Sequence, residues 1–105
     1  MRLLVVIVNF RTAPLVIDCL RSLDQPMREL PGAKVVITDN ASGDDSVRLI
    51  SQAIADSGWS EWAQIIPLET NGGFAWGNNK AIEPALASND PPEFVLLLNP
   101  DTTVR

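Results

Sequence analysis

The sequence contains no histidine. That removes every imidazole general base, every Ser-His-Asp triad and every His-ligated zinc site from the chemistry open to it. Its single cysteine, Cys19, excludes an internal disulfide and is compatible with a reducing compartment. No run of Lys or Arg is present, and the formal charge is -5. Nucleic-acid binding needs clustered positive charge, so a nucleic-acid groove is not expected. An anionic ligand would have to be held by a metal or by backbone N–H groups. No apolar run is long enough to span a bilayer, and no small-residue cleavage site follows Leu3 to Phe10. The expected location is the cytoplasm, with a peripheral place at the inner membrane surface left open. Neither the dinucleotide fingerprint G-x-G-x-x-G nor the phosphate loop G-x-x-x-x-G-K-[ST] occurs, and no tight hairpin signal breaks the chain.

What is present is 105 residues, 46% of them hydrophobic. This is enough for one domain, residues 1–105, burying about two-thirds of its extended surface. Phe94 to Leu98 is an unbroken apolar run that enters Asn99-Pro100-Asp101-Thr102. It reads as a strand buried on both faces of a parallel sheet and stopped by Pro100, which cannot donate to a ladder. Asp101 would then stand at the carboxyl end of that strand, where open α/β sheets bind ligands. It suits a hard divalent cation or a sugar hydroxyl there, and an ordinary turn is the alternative.

Leu3 to Val8 and Ala33 to Thr38 read as two further buried strands, and Ala63 to Leu68, carrying Pro67, as an edge strand. Between them, Thr12 as N-cap and Val16, Cys19, Leu20 and Leu23 on one face predict a helix over Ala13 to Leu23, with Gln25 to Gly32 as a loop. Ser42 and Asp45 approximate a capping box, and Ser42, Asp44 and Asp45 read as caps for a helix lined by Val47, Ile50 and Ile54. Asp39 lies on the strand side of that turn, where no cap is needed. Trp59 and Trp62 read as packing residues. Gly72 and Gly73 allow close backbone approach before a third helix. That helix is expected to bury Ala75, Asn79, Ile82 and Leu86 and to kink or end near Glu83 because of Pro84. Asn79 is then a core amide or a ligand contact. Strand and helix alternate throughout, which implies an α/β fold with an open, mainly parallel sheet and helices on both faces. Asn9, Asp39, Asn71 and Asp101 would meet on one rim.

Val6-Ile7-Val8-Asn9-Phe10, Ile37-Thr38-Asp39-Asn40-Ala41-Ser42, Asn71-Gly72-Gly73-Phe74-Ala75 with Asn78-Asn79, and Leu96-Leu97-Leu98-Asn99-Pro100-Asp101-Thr102 span nearly the whole chain. In that order they resemble the amino-terminal half of family 2 glycosyltransferases of the GT-A fold, especially the rhamnosyltransferase-like branch. The resemblance implies a sheet of order 3-2-1-4, with the nucleotide in the crevice between the first and fourth strands. It implies that Asp39 accepts from the ring N–H of uracil or thymine, with Asn9, Phe10 and Thr12 against base and ribose and the Asn71-Gly72-Gly73 loop close by. Asp101 would bind Mg²⁺ or Mn²⁺ under the diphosphate, with Asn99 where many relatives have a further Asp. The expected donor is a UDP- or dTDP-sugar, dTDP-rhamnose on motif flavour, and the acceptor a glycan or a lipid-linked molecule. Members of the family continue beyond the stretch matched here and carry their general base there. The expectation is therefore a partial form that binds nucleotide weakly without turnover and self-associates through Phe94 to Leu98. A non-catalytic, receiver-like interaction domain is the alternative, but Asp44, Asp45 and the helical Lys80 fit it poorly. A dinucleotide-dependent enzyme is disfavoured by the missing glycine fingerprint.

Overall fold

The structure, a computed structural model, describes residues 1–100. Asp101, on which the metal expectation falls, lies outside the described residues. The strands are β1 (Leu3–Asn9), β2 (Ala33–Asp39), β3 (Ala63–Pro67) and β4 (Phe94–Leu97), alternating with helices α1 (Ala13–Glu29), α2 (Ser46–Asp56) and α3 (Phe74–Leu86). All pairings are parallel, and the order across the sheet is β3-β2-β1-β4. The β1–β2 register runs from Leu3 opposite Ala33 to Asn9 opposite Asp39, so the polar ends of both strands arrive together.

Alternation along the central strands sorts their side chains onto the two faces. Val5, Ile7, Val35 and Ile37 join the main core with Val16, Cys19, Leu20 and Leu23 of α1 and Ile50 and Ile54 of α2. Leu4, Val6 and Val36 face the other way, against Ala81 of α3. Trp59 and Trp62 are buried with ring centroids 5.8 Å apart, packing the connection into β3 as expected. Cys19 is fully buried, and desolvation pushes its thiol pKa up, which keeps it a protonated apolar filler.

Four sequence expectations need correction. First, α1 does not stop at Leu23. It runs through Pro26 to Glu29 because Met27, one turn beyond Leu23, is also buried. Arg28–Asp24 at 2.7 Å and Gln25–Glu29 at 3.0 Å brace the same turn. One lost helical hydrogen bond at a proline is outweighed by an anchored last turn. Second, α3 continues past Pro84 to Leu86, since only the final turn lies beyond the proline.

Third, the buried face of α3 is Gly77, Asn78 and Ala81, while Ala75, Asn79 and Leu86 are exposed. Gly77 sets this rotation. A Cβ there would stand 2.8 Å from Val8 Cγ1, so only glycine lets the helix backbone reach the sheet, where the Thr38 hydroxyl donates to Gly77 O at 3.0 Å. Fourth, β4 is not buried on both faces. Phe94 is 61% exposed and Val95, Leu96 and Leu97 are also exposed, because among the described residues β4 pairs with β1 alone, at the edge of the sheet. It forms an apolar sheet edge. No helix among the described residues is long and apolar enough to cross a membrane.

Candidate functional site

The order of the sheet reverses direction between β1 and β4, and at the carboxyl end of such a reversal the flanking loops part and leave a crevice. A groove of about 320 Å³ lies there, lined by Val8, Phe10, Thr12, Asn40, Asn71, Gly73, Phe74 and Pro100. It gathers the ends of β1 and β2, the turn before α3 and the Asn99-Pro100 step that follows β4.

Beneath the groove runs a buried polar bracket. Asn9 is fully buried, and its amide is saturated. Its Nδ2 donates to Asp39 Oδ1 at 2.7 Å and to Ser42 Oγ at 3.3 Å, while its Oδ1 accepts from Thr12 N–H at 3.2 Å and from the Thr12 hydroxyl at 2.9 Å. With both lone pairs and both hydrogens committed, Asn9 holds the β1–α1 turn against the β2–α2 turn. Asn9, expected against base or ribose, thereby also holds the turn that carries Thr12. Thr12, though it occupies the N-cap position of α1, makes no side-chain cap because its hydroxyl serves this bracket.

Asp39 is 3% exposed. Its Oδ1 accepts from Asn9 and, at 2.6 Å, from the Ser42 hydroxyl; its Oδ2 accepts from Ser42 N–H at 3.2 Å. Ser42 is therefore no helix cap. The turn before α2 is closed instead by Asp44, whose Oδ1 accepts from Ser46 N–H at 2.9 Å. The Ser46 hydroxyl and N–H beside it hold the exposed Asp44 carboxyl below its ordinary pKa. Asp45, at the N-cap position, makes no side-chain cap and pairs with Arg48 at 3.1 Å. Asp90 pairs with the Met1 amino group and Glu93 with Arg2 at 3.3 Å, so these four acids all have structural partners.

Arg11 and Ala41 sit on the two turns of the bracket, each with φ of 57°, a conformation costly for residues with a side chain. At Arg11 the geometry is held by its N–H to Ser42 Oγ and its Nε to Ser42 O, both at 2.9 Å. The guanidinium then lies 5.1 Å from the centroid of the Phe10 ring, which is 42% exposed.

The loop before α3 is tied to β2 in turn. Asn40 Nδ2 donates to Gly73 O at 2.9 Å, and Asn71 Oδ1 accepts from Gly73 N–H at 2.9 Å. Gly73 has φ of 92°, which requires glycine, and open space beside it. Gly72 has a different reason to be glycine, since a Cβ there would collide with the Trp76 indole that lies against it. Lys80 Nζ stands 4.2 Å from that indole.

Of the expected site residues, the structure brings Phe10, Thr12, Asn71 and Gly73 together on one groove. Asn9 and Asp39 lie below it. Asn79 is exposed and does not line it, and Gly72 and Asn99 stand beside residues that do. Sequence reasoning passed over Asn40 and Phe74. Strand alternation holds the signal for Asn40, which follows Asp39 and therefore projects to the opposite face, with Thr38. A divalent cation would need oxygen ligands. Among the described residues no three of His, Cys, Asp and Glu come together, so a cation here would rely on ligand phosphates, one or two protein oxygens and water, as Mg²⁺ commonly does.

A mannosyltransferase of the same architecture, PcManGT from Pyrobaculum calidifontis, solved with GDP-Man and Mn²⁺, matches 97% of this chain at 23% identity with a TM-score of 0.73. S. aureus TarS 1-349 matches 98% at 23% identity with a TM-score of 0.73, and its complex with UDP-GlcNAc matches 96% at 25% identity with a TM-score of 0.71. The chain spans only 28%, 28% and 27% of those three chains respectively. No curated protein sequence matches it. The sequence pattern of the glycosyl transferase family 2 domain covers residues 4–105. The chain, an open parallel sheet of order 3-2-1-4 with helices on both faces, belongs to glycosyl transferase family 2.

Proposed function

We propose that this chain binds the nucleotide of a pyrimidine nucleotide-diphosphate sugar, UDP- or dTDP-linked with dTDP-rhamnose as the narrower choice, for inverting transfer to a glycan or lipid-linked acceptor. The observation that carries this reading is the groove at the β1–β4 reversal, with exposed Phe10 as an apolar wall and Thr12, Asn40 and Asn71 as polar groups around it. The relatives solved with UDP-GlcNAc and with GDP-Man and Mn²⁺ support nucleotide-sugar use in this architecture. Asp39 is the proposed partner of the pyrimidine. Its Oδ2 accepts one hydrogen bond from Ser42 N–H and keeps capacity for another donor, such as the ring N–H of uracil or thymine.

In such a transfer the bond between the anomeric carbon and the diphosphate oxygen breaks as an acceptor oxygen attacks. The acceptor's proton passes to a base, and the nucleoside diphosphate leaves with the bonding electron pair. A divalent cation, when bound, neutralises charge on that leaving group. Asp101 is the proposed carboxylate ligand, with Asn99 beside it. Asp44, Asp45, Asp90 and Glu93 already have structural partners, so none is assigned the base. A cytoplasmic location, at the inner membrane surface where the acceptor is lipid-linked, belongs to the same reading.

Isothermal titration with UDP, dTDP and GDP, each with and without Mn²⁺, tests it. The expected result is Mn²⁺-dependent heat with UDP or dTDP and at least tenfold weaker binding of GDP. Absence of heat with every nucleotide contradicts the reading; equal binding of GDP contradicts its pyrimidine part.

A further inference from the structure

We infer that Phe74 is a specificity-determining wall of the nucleobase subsite, facing the base together with Phe10. The inference rests on the proposed nucleotide binding and adds to it a residue on a different element of the fold.

Phe74 is the first residue of α3 and is 53% exposed, yet it lines the same groove as Phe10. A large apolar ring left in water at a helix start is unfavourable unless something covers it. The backbone that presents this ring is held in place, because its predecessor Gly73 is fixed through both backbone polar groups. Asn40 donates to Gly73 O and Asn71 accepts from Gly73 N–H, each at 2.9 Å. The positive φ of Gly73 sets the direction in which the chain enters Phe74. Asn40 is only 3% exposed and belongs to the end of β2, so Phe74 is referenced to the sheet.

Phe10 reaches the groove from the β1–α1 turn with the Arg11 guanidinium over its ring, 5.1 Å from the centroid. A ring has two faces, and the cation occupies one of them. The groove thus carries two exposed phenylalanines from separate elements, with Thr12, Asn40 and Asn71 among its polar lining. A planar heteroaromatic ring with polar edges fits that composition, and a phosphate, which has no apolar face, does not. Stacking reads the flat face of a base and not its edge. The wall therefore contributes affinity for nucleobases against base-free diphosphates, while the choice among bases falls to Asp39 and the amides.

The test measures affinity for UDP and for inorganic pyrophosphate, both with Mn²⁺, in the unsubstituted chain, Phe74→Ala and Phe74→Tyr, with thermal midpoints recorded for each. Because Phe74 is exposed, all three are expected to fold with similar midpoints. The expected result is about tenfold or greater loss of UDP affinity in Phe74→Ala, near-parent affinity in Phe74→Tyr, and unchanged pyrophosphate binding in all three. Unchanged UDP affinity in Phe74→Ala overturns the inference alone, as does an equal proportional loss of UDP and pyrophosphate, which would mark a general collapse of the rim. Failure of the unsubstituted chain to bind either UDP or dTDP overturns the nucleotide reading and this inference with it; if it binds dTDP alone, the same comparison is made with dTDP.

Discussion

Replacement of Asp39 by alanine is expected to destabilise the protein by about 3–5 kcal/mol and to abolish nucleotide binding, the stability loss being read by urea unfolding. The carboxylate is 3% exposed and accepts hydrogen bonds from Asn9 Nδ2, the Ser42 hydroxyl and Ser42 N–H. Truncation strands donors that water reaches poorly, and each stranded buried donor costs roughly 1–3 kcal/mol, less whatever relaxation recovers. A domain of this size has on the order of 5–15 kcal/mol in all, so the loss is a large share of the total. Asp39→Asn separates shape from charge. Its Oδ1 can still accept from Asn9 and Ser42, but its NH2 must face Ser42 N–H, and the cost is expected to fall to about 1–2 kcal/mol. Asp45→Ala, in the same turn but exposed and paired only with exposed Arg48, should lie within about 0.5 kcal/mol of the parent. If Asp39→Ala proves no more costly than Asp45→Ala, the bracket does not hold the rim.

The second large effect is expected at Gly77. A Cβ there meets Val8 Cγ1 at 2.8 Å, Val8 Cγ2 at 3.0 Å and Thr38 Oγ1 at 3.2 Å. Val8 and Thr38 are buried on the central strands and have little room to yield. Gly77→Val adds two methyl groups beyond that Cβ, forces α3 away from the sheet and breaks the bond from the Thr38 hydroxyl to Gly77 O. Replacing glycine within a helix would ordinarily recover a few tenths of a kcal/mol, too little to offset overpacking of roughly 1–3 kcal/mol plus a lost hydrogen bond of about 1 kcal/mol. A net loss of about 3 kcal/mol is expected, visible as a fall in melting temperature of more than about 10 °C. A melting temperature equal to or above the parent's would show that the close approach of α3 is not required.

Much of this was legible before any coordinates. Unbroken aliphatic runs marked β1 and β2, Pro67 marked β3 as an edge strand, and alternation with amphipathic helices implied a parallel sheet. The polar tails of those strands placed the rim at its carboxyl end. The errors have a common physical source, which is that local patterns do not report what a residue meets from elsewhere in the chain. Pro26 looked like a stop because its cost is local, whereas the burial of Met27 that offsets it is tertiary. The rotation of α3 was misjudged because its interface consists of small residues, Gly77, Asn78 and Ala81, and a search for large apolar residues chose Asn79's face instead. That Asn9 and Asp39 also bond to each other follows from the β1–β2 register, which neither strand end reports by itself. The exposure of β4 depends on which strands and helices flank it, and the apolar run of Phe94 to Leu98 carries no record of its neighbours.

The account depends on the ligand site lying at the carboxyl end of the sheet. A larger cavity, about 400 Å³ and lined among others by Leu4, Val36, Trp62 and Ala81, opens toward the amino end on the α3 face and offers the competing location. Titration of the isotope-labelled chain with UDP and Mg²⁺, followed by amide chemical-shift mapping, distinguishes the two. The predicted result is shifts centred on Phe10, Thr12, Asn40, Asn71 and Phe74; shifts centred on Leu4, Val36, Trp62 and Ala81 would contradict it.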